Sequence, residues 1–262
     1  MAPMRPRRPA SRHRIDASAQ KGASARDRCR VSATIRQIAF ASLIPIAVTG
    51  PADSADLGLE RYAVSIARDD AESGSHKITG SGIYFGAGLI LTAAHVVPGP
   101  PSQGVAVMVG ERAVKARTMV KGAYSDVDVT LLSVEPGALP DELRRLASLH
   151  LCVEEPIPGQ TVTVVAPGNI RDSVIVPSSI LAPQLAAKLP TLIRDVYTTG
   201  NSGAGVFDAE LGCLMGIISR KIERPYWRDV DGVPTEMRAG LAKYFTSATL
   251  IRAFLGKDLN GH

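Results

Sequence analysis

Residues 81–97 read SGIYFGAGLILTAAHVV, and they decide the fold class because two apolar runs flank a glycine-rich break. The break, Gly86-Ala87-Gly88, is typical of a tight turn between two antiparallel strands. The second run ends at His95, where a strand gives way to a turn. A histidine there most often packs as a structural residue, but it is also where an imidazole would point into a cleft. The stretch therefore predicts a β-hairpin and leaves two roles open for His95.

Short apolar runs continue along the rest of the chain. The segments after Asp56 have the spacing of an all-β barrel or sandwich; they read YAVSIARDD, VAVMVG, AVKARTMV, DVTLLSV, TVTVVAPG, SVIVPSSI, GVFDAELGCLMGII and LAKYFTS. Helical character is confined to residues 141–149 and to SATLIRAFLG near the end. Residues 221–240 are polar and weakly periodic, which predicts a long surface loop. The sequence therefore predicts an all-β domain over residues 56–262.

The net charge of +5 is unevenly distributed over the 262 residues. Residues 1–55 hold ten Lys or Arg and three Asp, which leaves 20 basic and 22 acidic side chains in the remainder. The predicted domain is thus nearly neutral and lacks the basic footprint of a nucleic-acid binder. No nucleic-acid partner is predicted.

Residues 1–55 have the layout of a leader. Scattered arginines precede the apolar run IAFASLIPIAV at residues 38–48, and small residues follow it, as in a secretory signal peptide. The run is short for a membrane span and is broken by Pro45. A buried strand or helix is the alternative, and translation from Val31 would give a signal of ordinary length. We expect an exported protein, periplasmic or secreted, without a stable membrane span once the signal is removed.

Three cysteines occur in the chain, and Cys29 lies in the leader. Cys152 and Cys213 remain for the domain. In an oxidising compartment they could form one disulfide, but two separate buried thiols are an equal alternative, because sequence alone does not give the geometry of the bond.

A second glycine-rich stretch, TTGNSGAGVFD at residues 198–208, surrounds Ser202. It predicts either a surface turn or a serine held on a tight loop. A nucleophilic serine needs a histidine base and an orienting acid. His95 is the best placed of the five histidines, because the others lie in the leader, in polar stretches or at the last residue. Asp126 and Asp128 are the candidate acids.

Three blocks together carry a family resemblance. GSGIYFGAGLILTAAHVV, DVTLLSV and GNSGAGV, in that order, resemble the signature blocks of the trypsin-like (chymotrypsin-fold) serine proteases, in their bacterial trypsin-like or HtrA-type branch. The resemblance implies two packed six-stranded β-barrels, a short C-terminal helix and a cleft between the barrels. Only seven residues follow Leu255, so we expect no C-terminal PDZ domain of the kind common in HtrA-type proteins.

The resemblance assigns a role to each matching residue. Ser202 becomes the nucleophile, His95 the general base and then acid, and Asp128 the group that orients the imidazole. Asp128 fits the family pattern better than Asp126. The backbone N–H groups of Gly200, Asn201 and Ser202 would form the oxyanion hole, and Gly203 would leave room for the substrate.

The remaining expectations concern substrate binding. Val196 would form the floor of the specificity pocket and favour small or medium apolar side chains. MGIISRK at residues 215–221 resembles the strand that pairs with the substrate, so Ser219 would lie beneath the triad, and Arg220 and Lys221 would contact the peptide. The partners are protein or peptide substrates, and no metal or organic cofactor is implied. Two alternatives are a weakly active or inactive protease fold used for binding and a membrane-anchored structural protein.

Overall fold

The structure of the protein is a computed structural model that describes residues 58–69, 76–97, 99, 104–194 and 201–259. All of these residues belong to one compact unit, Gly50–His262. The predicted leader, Val196 and Gly200 lie outside the described residues, so the predictions made for them stay predictions.

The first half of the domain is a closed barrel of six antiparallel strands. Its strands are β1 (Ala63–Asp69), β2 (His76–Gly86), β3 (Leu89–Thr92), β4 (Val105–Val109), β5 (Arg112–Lys121) and β6 (Thr130–Val134). The strand order is β1-β2-β3-β6-β5-β4, and pairing of β1 with β4 closes the barrel. Ala87 and Gly88 both have positive φ in the turn that joins β2 to β3, as the hairpin prediction requires.

The second half is another closed six-stranded barrel. Its strands are β7 (Thr161–Ala166), β8 (Asn169–Val176), β9 (Leu192–Arg194), β10 (Gly205–Asp208), β11 (Leu214–Val230) and β12 (Val233–Ser247). The order is β10-β11-β12-β9-β8-β7, and pairing of β10 with β7 closes it. The predicted fold of two six-stranded β-barrels is confirmed.

A shared apolar cluster joins the two barrels. Each large side chain that it buries contributes about 1.5–3 kcal/mol to folding. Its buried members come from strands of both barrels, from the flanking loops and from the C-terminal helix, and they are Leu59, Ile83, Leu91, Val129, Leu131, Val165, Phe207, Leu214, Ile217 and Ile251. The packing holds the ends of strands from both barrels in one cleft.

Helices are short in the described chain: α1 (Asp141–Arg144), α2 (Pro183–Lys188) and α3 (Ala248–Leu259). The terminal helix is confirmed, and its Ile251 is fully buried. The helix predicted over residues 141–149 is wrong beyond its first turn, because one buried leucine, Leu143, gives a longer helix little to pack on. No helix of the described residues has the length and apolarity needed to cross a bilayer.

The surface loop predicted at residues 221–240 is wrong, because this stretch extends β11 and β12 into a long hairpin. The strands stay paired from Gly216↔Ser247 out to Val230↔Val233. The turn is Asp231-Gly232, with φ of 54° and 79°, as a two-residue type I′ turn requires. The outer hairpin, residues 223–240, is exposed on both faces. Its sequence therefore lacks the apolar alternation that marks a half-buried strand.

Cys152 and Cys213 form a disulfide, with Cα atoms 5.1 Å apart. This resolves the alternative that the sequence left open. The backbone N–H of Cys152 also donates to the carbonyl of Leu214 at 3.0 Å. The bond spans 61 residues, and closing a loop of that length in the unfolded chain corresponds to about 4 kcal/mol of stabilisation.

Candidate active site

Two neighbouring strands of the first barrel bring His95 and Asp128 together. β3 and β6 are antiparallel, and Thr92 at the end of β3 lies opposite Thr130 at the start of β6. His95 lies three residues after Thr92, and Asp128 lies two residues before Thr130. Both therefore lie at one end of the sheet, with His95 fixed in the short 3₁₀ turn Ala94–Val96.

Two hydrogen bonds join the pair. His95 donates its backbone N–H to Asp128 Oδ1 at 3.1 Å, and His95 Nδ1 lies 2.8 Å from Asp128 Oδ2. An ionised carboxylate can only accept, so Nδ1 carries the proton and Nε2 is left as an acceptor. Asp128 is fully buried, whereas Asp126 is exposed. The structure thus brings Asp128, and not Asp126, to His95.

A side chain of the second barrel completes the surroundings of Asp128. Ser219, on β11, donates its hydroxyl to Asp128 Oδ2 at 2.6 Å. Burial alone would raise the pKa of the Asp128 carboxyl, but the hydrogen bonds from His95 and Ser219, and the charge of His95, outweigh it and lower that pKa. Asp128 is therefore held ionised in a buried position.

Ser202 lies half-buried just before β10, on a loop tied to both barrels. Its carbonyl accepts the backbone N–H of Ser81 in β2 at 2.8 Å. The next residue, Gly203, donates its N–H to the carbonyl of Ile218 in β11, also at 2.8 Å. These bonds fix the backbone on both sides of the Ser202 side chain.

Gly203 has a different role from the one expected. Its φ is +86°, and a Cβ on it would lie 1.9 Å from the carbonyl oxygen of Ser81. The missing side chain therefore makes room for the first barrel, which corrects the interpretation that it clears a path for substrate. No other residue fits both the close approach and the left-handed backbone.

A cavity of about 330 Å³ opens where these elements meet, and it brings most of the predicted site residues together. It is lined by His95, Tyr124, Ser202, Ser219, Arg220 and Lys221. Asn201 is buried beside Ser202. An imidazole and a hydroxyl that share one cavity, with a buried carboxylate behind the imidazole, are the groups that activate a serine for attack on a carbonyl.

Sequence reasoning missed Tyr124, and with it the contact that Arg220 makes there. The Tyr124 ring packs edge-on against His95 with centroids 5.2 Å apart. The Arg220 guanidinium lies 3.8 Å from the centre of the Tyr124 ring and also donates to the Tyr124 carbonyl. The only signal was an aromatic residue four positions before Asp128, which carries no periodicity. Among the described residues no three His, Cys, Asp or Glu are grouped to hold a metal.

A protein-family model matches more than half of this chain. The trypsin-like peptidase domain matches residues 80–217, which is 138 of the 262 residues. The chain belongs to the trypsin-like peptidase family. The resemblance carried by three short blocks is confirmed, and the match contains His95, Asp128 and Ser202.

Solved structures share the fold of this trypsin-like peptidase. An inactive serine-to-alanine mutant of Rv3671c from Mycobacterium tuberculosis is 19% identical, covers 84% of this chain and 98% of its own, and has a TM-score of 0.52. Kallikrein-related peptidase 10 is 18% identical, the match covers 78% of this chain and 98% of that protein, and the TM-score is 0.54. Human heparin binding protein is 16% identical, the match covers 77% of this chain and 92% of that protein, and the TM-score is 0.52. No curated protein is significantly similar in sequence.

Proposed function

We propose that this trypsin-like peptidase is an exported serine endopeptidase in which Ser202 is the nucleophile, His95 the base and Asp128 the orienting acid. The observation that carries the proposal is the doubly hydrogen-bonded His95–Asp128 pair, whose His95 lines the same cavity as Ser202. The family match supports the same reaction class.

The chemistry follows from the proton positions. Nε2 of His95 takes the Ser202 proton as Oγ attacks the peptide carbonyl, and the resulting imidazolium is stabilised by Asp128. The tetrahedral intermediate collapses as His95 gives that proton to the leaving amine, and an acyl-enzyme remains. Water then attacks the ester with His95 again as base, which releases the new carboxyl terminus and regenerates Ser202.

The oxyanion hole is assigned to the backbone N–H groups of Gly200, Asn201 and Ser202. Support comes from the bonds that tie residues 201–204 to both barrels, because fixed donors stabilise charge without reorganising. Loss of one such donor costs about 3–4 kcal/mol of transition-state stabilisation.

The substrate is proposed to pair with the backbone of residues 219–221. β10 pairs with β11 only as far as Gly205↔Ile217, and the last bonds across this edge involve Ile218. Beyond Ile218, the described residues provide no strand on that side of β11. An extended peptide could add there and gain main-chain hydrogen bonds with little demand on sequence. Val196 remains the proposed floor of the specificity pocket.

Export is supported by two features. The composition of residues 1–55 is that of a signal peptide, and the Cys152–Cys213 disulfide suits an oxidising compartment. N-terminal sequencing of the protein recovered from the culture medium or periplasm tests both the export and the cleavage of the leader. Recovery of the protein from the cytoplasm, with its leader still attached, would contradict the proposal.

A binding module with little turnover is the second candidate, since human heparin binding protein has the same fold. A fluorophosphonate probe separates the two functions, because it labels only an activated serine. We expect labelling of the wild type and of Ser179→Ala, a control at an exposed serine, and none of Ser202→Ala. Hydrolysis of a denatured protein substrate should follow the same pattern. An unlabelled wild type, or a labelled Ser202→Ala, would overturn the proposed mechanism.

A further inference from the structure

We propose that Arg220 selects substrates that carry a carboxylate within the three residues before the scissile bond. This inference rests on the proposed peptidase function and names the substrate class of that site. It concerns the charge of the cavity wall, which is separate from the backbone pairing described above.

The cavity wall is cationic. Two of its six lining residues, Arg220 and Lys221, are positively charged, and none of the six is acidic. The nearby Asp128 adds no exposed negative charge, because it is fully buried and bonded to His95 and Ser219. A peptide entering this cavity therefore meets positive charge that the lining itself does not neutralise.

Arg220 is held in place without a carboxylate. Its Nε donates to Ser219 Oγ at 3.3 Å, a second nitrogen donates to the Tyr124 carbonyl, and the guanidinium plane packs on the Tyr124 ring. These bonds engage two of the five N–H donors of an arginine. Within the part of the chain that the structure describes, no acidic side chain pairs with it.

Lys221 differs from its neighbour in this respect. Its ammonium lies 3.4 Å from Glu223 Oε1, and both side chains are partly exposed. The charge of Lys221 is thus partly compensated on the protein, which leaves Arg220 as the stronger source of positive potential in the cavity.

The position of Arg220 points to the substrate segment before the cut. It covers Tyr124, Tyr124 packs on His95, and His95 shares the cavity with Ser202. A substrate strand along residues 219–221 would pass this group just before reaching Ser202. A preorganised guanidinium binds a carboxylate in a charge-assisted, often bidentate manner and loses little entropy in doing so.

The experiment uses matched peptides. A mass-spectrometric library first finds a cleaved sequence, and Glu or Gln is then placed at each of the three positions before the bond. For the wild type we expect kcat/KM to be about tenfold higher for Glu than for Gln at one of these positions, as one charge-assisted contact gives. A ratio near one at all three positions would overturn the inference.

Substitutions assign the preference to the side chain. Arg220→Ala should bring the Glu/Gln ratio close to one, Arg220→Lys should keep part of it, and Arg220→Glu should favour a Lys peptide. The control is Arg228→Ala, on the exposed outer part of the same strand, which should leave the ratio unchanged. If Arg220 only positioned the Tyr124 loop, Arg220→Ala would slow both peptides equally, and that result would contradict selection by charge.

Failure of the proposed function can be distinguished from failure of this inference. If the wild type cleaves the Gln peptide and reacts with the probe but shows no Glu preference, the peptidase function stands and the inference falls. If it neither cleaves nor reacts, fluorescence anisotropy decides, with two labelled random peptide pools that differ only in carrying Glu or Gln at the central position. Tighter binding of the Glu peptides then supports a cationic subsite that selects acidic residues, and equal binding overturns the inference.

Discussion

The two barrels contribute different kinds of groups to the cavity. The first barrel supplies His95 and Asp128, already joined by two hydrogen bonds, with the carboxylate fully buried. The second supplies Ser202 and Arg220, which are half-buried, and the exposed Lys221. The first barrel thus presents the hydrogen-bonded pair proposed to handle the proton, whereas the second presents the proposed nucleophile and the groups that would meet the substrate.

This division places the hydrogen-bonded His95–Asp128 pair on the first barrel and Ser202, with the groups proposed to select the substrate, on the second. Contacts between the two sides include Ser219 to Asp128, Ser81 to Ser202, Gly203 against Ser81, and Arg220 on Tyr124. Burial and hydrogen bonds fix the Asp128 carboxylate, and exposure leaves His95 and the groups of the second barrel accessible to a peptide. Variants on each side, and at the contacts, can break or sharpen this comparison.

The largest effect is expected where each barrel supplies a reacting group. His95→Ala and Ser202→Ala should each lower kcat on the order of 10⁶-fold, and the double variant should be scarcely worse, because the triad acts as a unit. Thermal unfolding should remain cooperative in all three. Multiplicative losses in the double variant would show that the two barrels act independently.

Asp128→Asn should lower kcat by about 10⁴-fold, because an amide can stabilise the wrong tautomer of His95. The same variant tests the buried charge. The folded-state pKa of Asp128 lies below its ordinary value of 3.8, so the ionised group stabilises the fold above that pH, and the stabilisation is lost as pH falls through the lowered pKa.

Urea denaturation of the wild type and of Asp128→Asn, repeated at a series of pH values from 6 downward, measures this loss. The series starts about two units above the ordinary pKa of the carboxyl. The difference between their free energies of unfolding should shrink in acid. A difference that is constant with pH would show that Asp128 is not held ionised by its partners.

Gly203→Ala should lower the free energy of unfolding by about 3 kcal/mol or more. The added Cβ would clash with the Ser81 carbonyl where the barrels meet, and alanine disfavours the left-handed backbone at this position. Gly137→Ala is the matched control, since a Cβ there meets nothing within 4 Å. Its effect should stay within about 0.5 kcal/mol in chemical denaturation. Equal stability of the two variants would contradict the role assigned to Gly203.

Ser219→Ala removes the one hydroxyl that the second barrel donates to Asp128. We expect kcat/KM to fall about tenfold, the typical value of a single hydrogen bond to a charged group. Ser173→Ala also loses a hydroxyl hydrogen bond, to the carbonyl of Arg194, but Ser173 does not line the cavity. It should stay within about twofold of the wild type. A Ser219→Ala enzyme with full activity would mean that the first barrel orients His95 alone.

The smallest effect is expected in the outer hairpin. Replacing residues 225–238 with Asp-Gly leaves Arg224↔Ala239 as the last pair before a two-residue turn. The removed part is mostly exposed, so the free energy of unfolding should change by less than about 1 kcal/mol. Reaction with the fluorophosphonate probe should be unaltered. Loss of probe reaction would extend the site into the hairpin.

The sequence by itself determined the fold class and the three residues that meet at the site. Apolar runs and glycine turns signalled the strands, and the blocks around His95, Asp128 and Ser202 signalled the family. These signals are local: a strand shows in alternation, a turn in glycine, and a family motif in a few adjacent residues.

Only the tertiary structure decided features that depend on residues far apart in the chain. The outer hairpin is paired by backbone bonds that leave no apolar pattern, the Cys152–Cys213 bond needs its Cα atoms 5.1 Å apart, and Gly203 is required because Ser81 lies against it. Arg220 and Tyr124 are 96 residues apart and touch only because the barrels pack together. Side-chain contacts between distant segments leave no mark on either segment alone, so only the tertiary structure shows that Tyr124 holds Arg220 in the cavity wall.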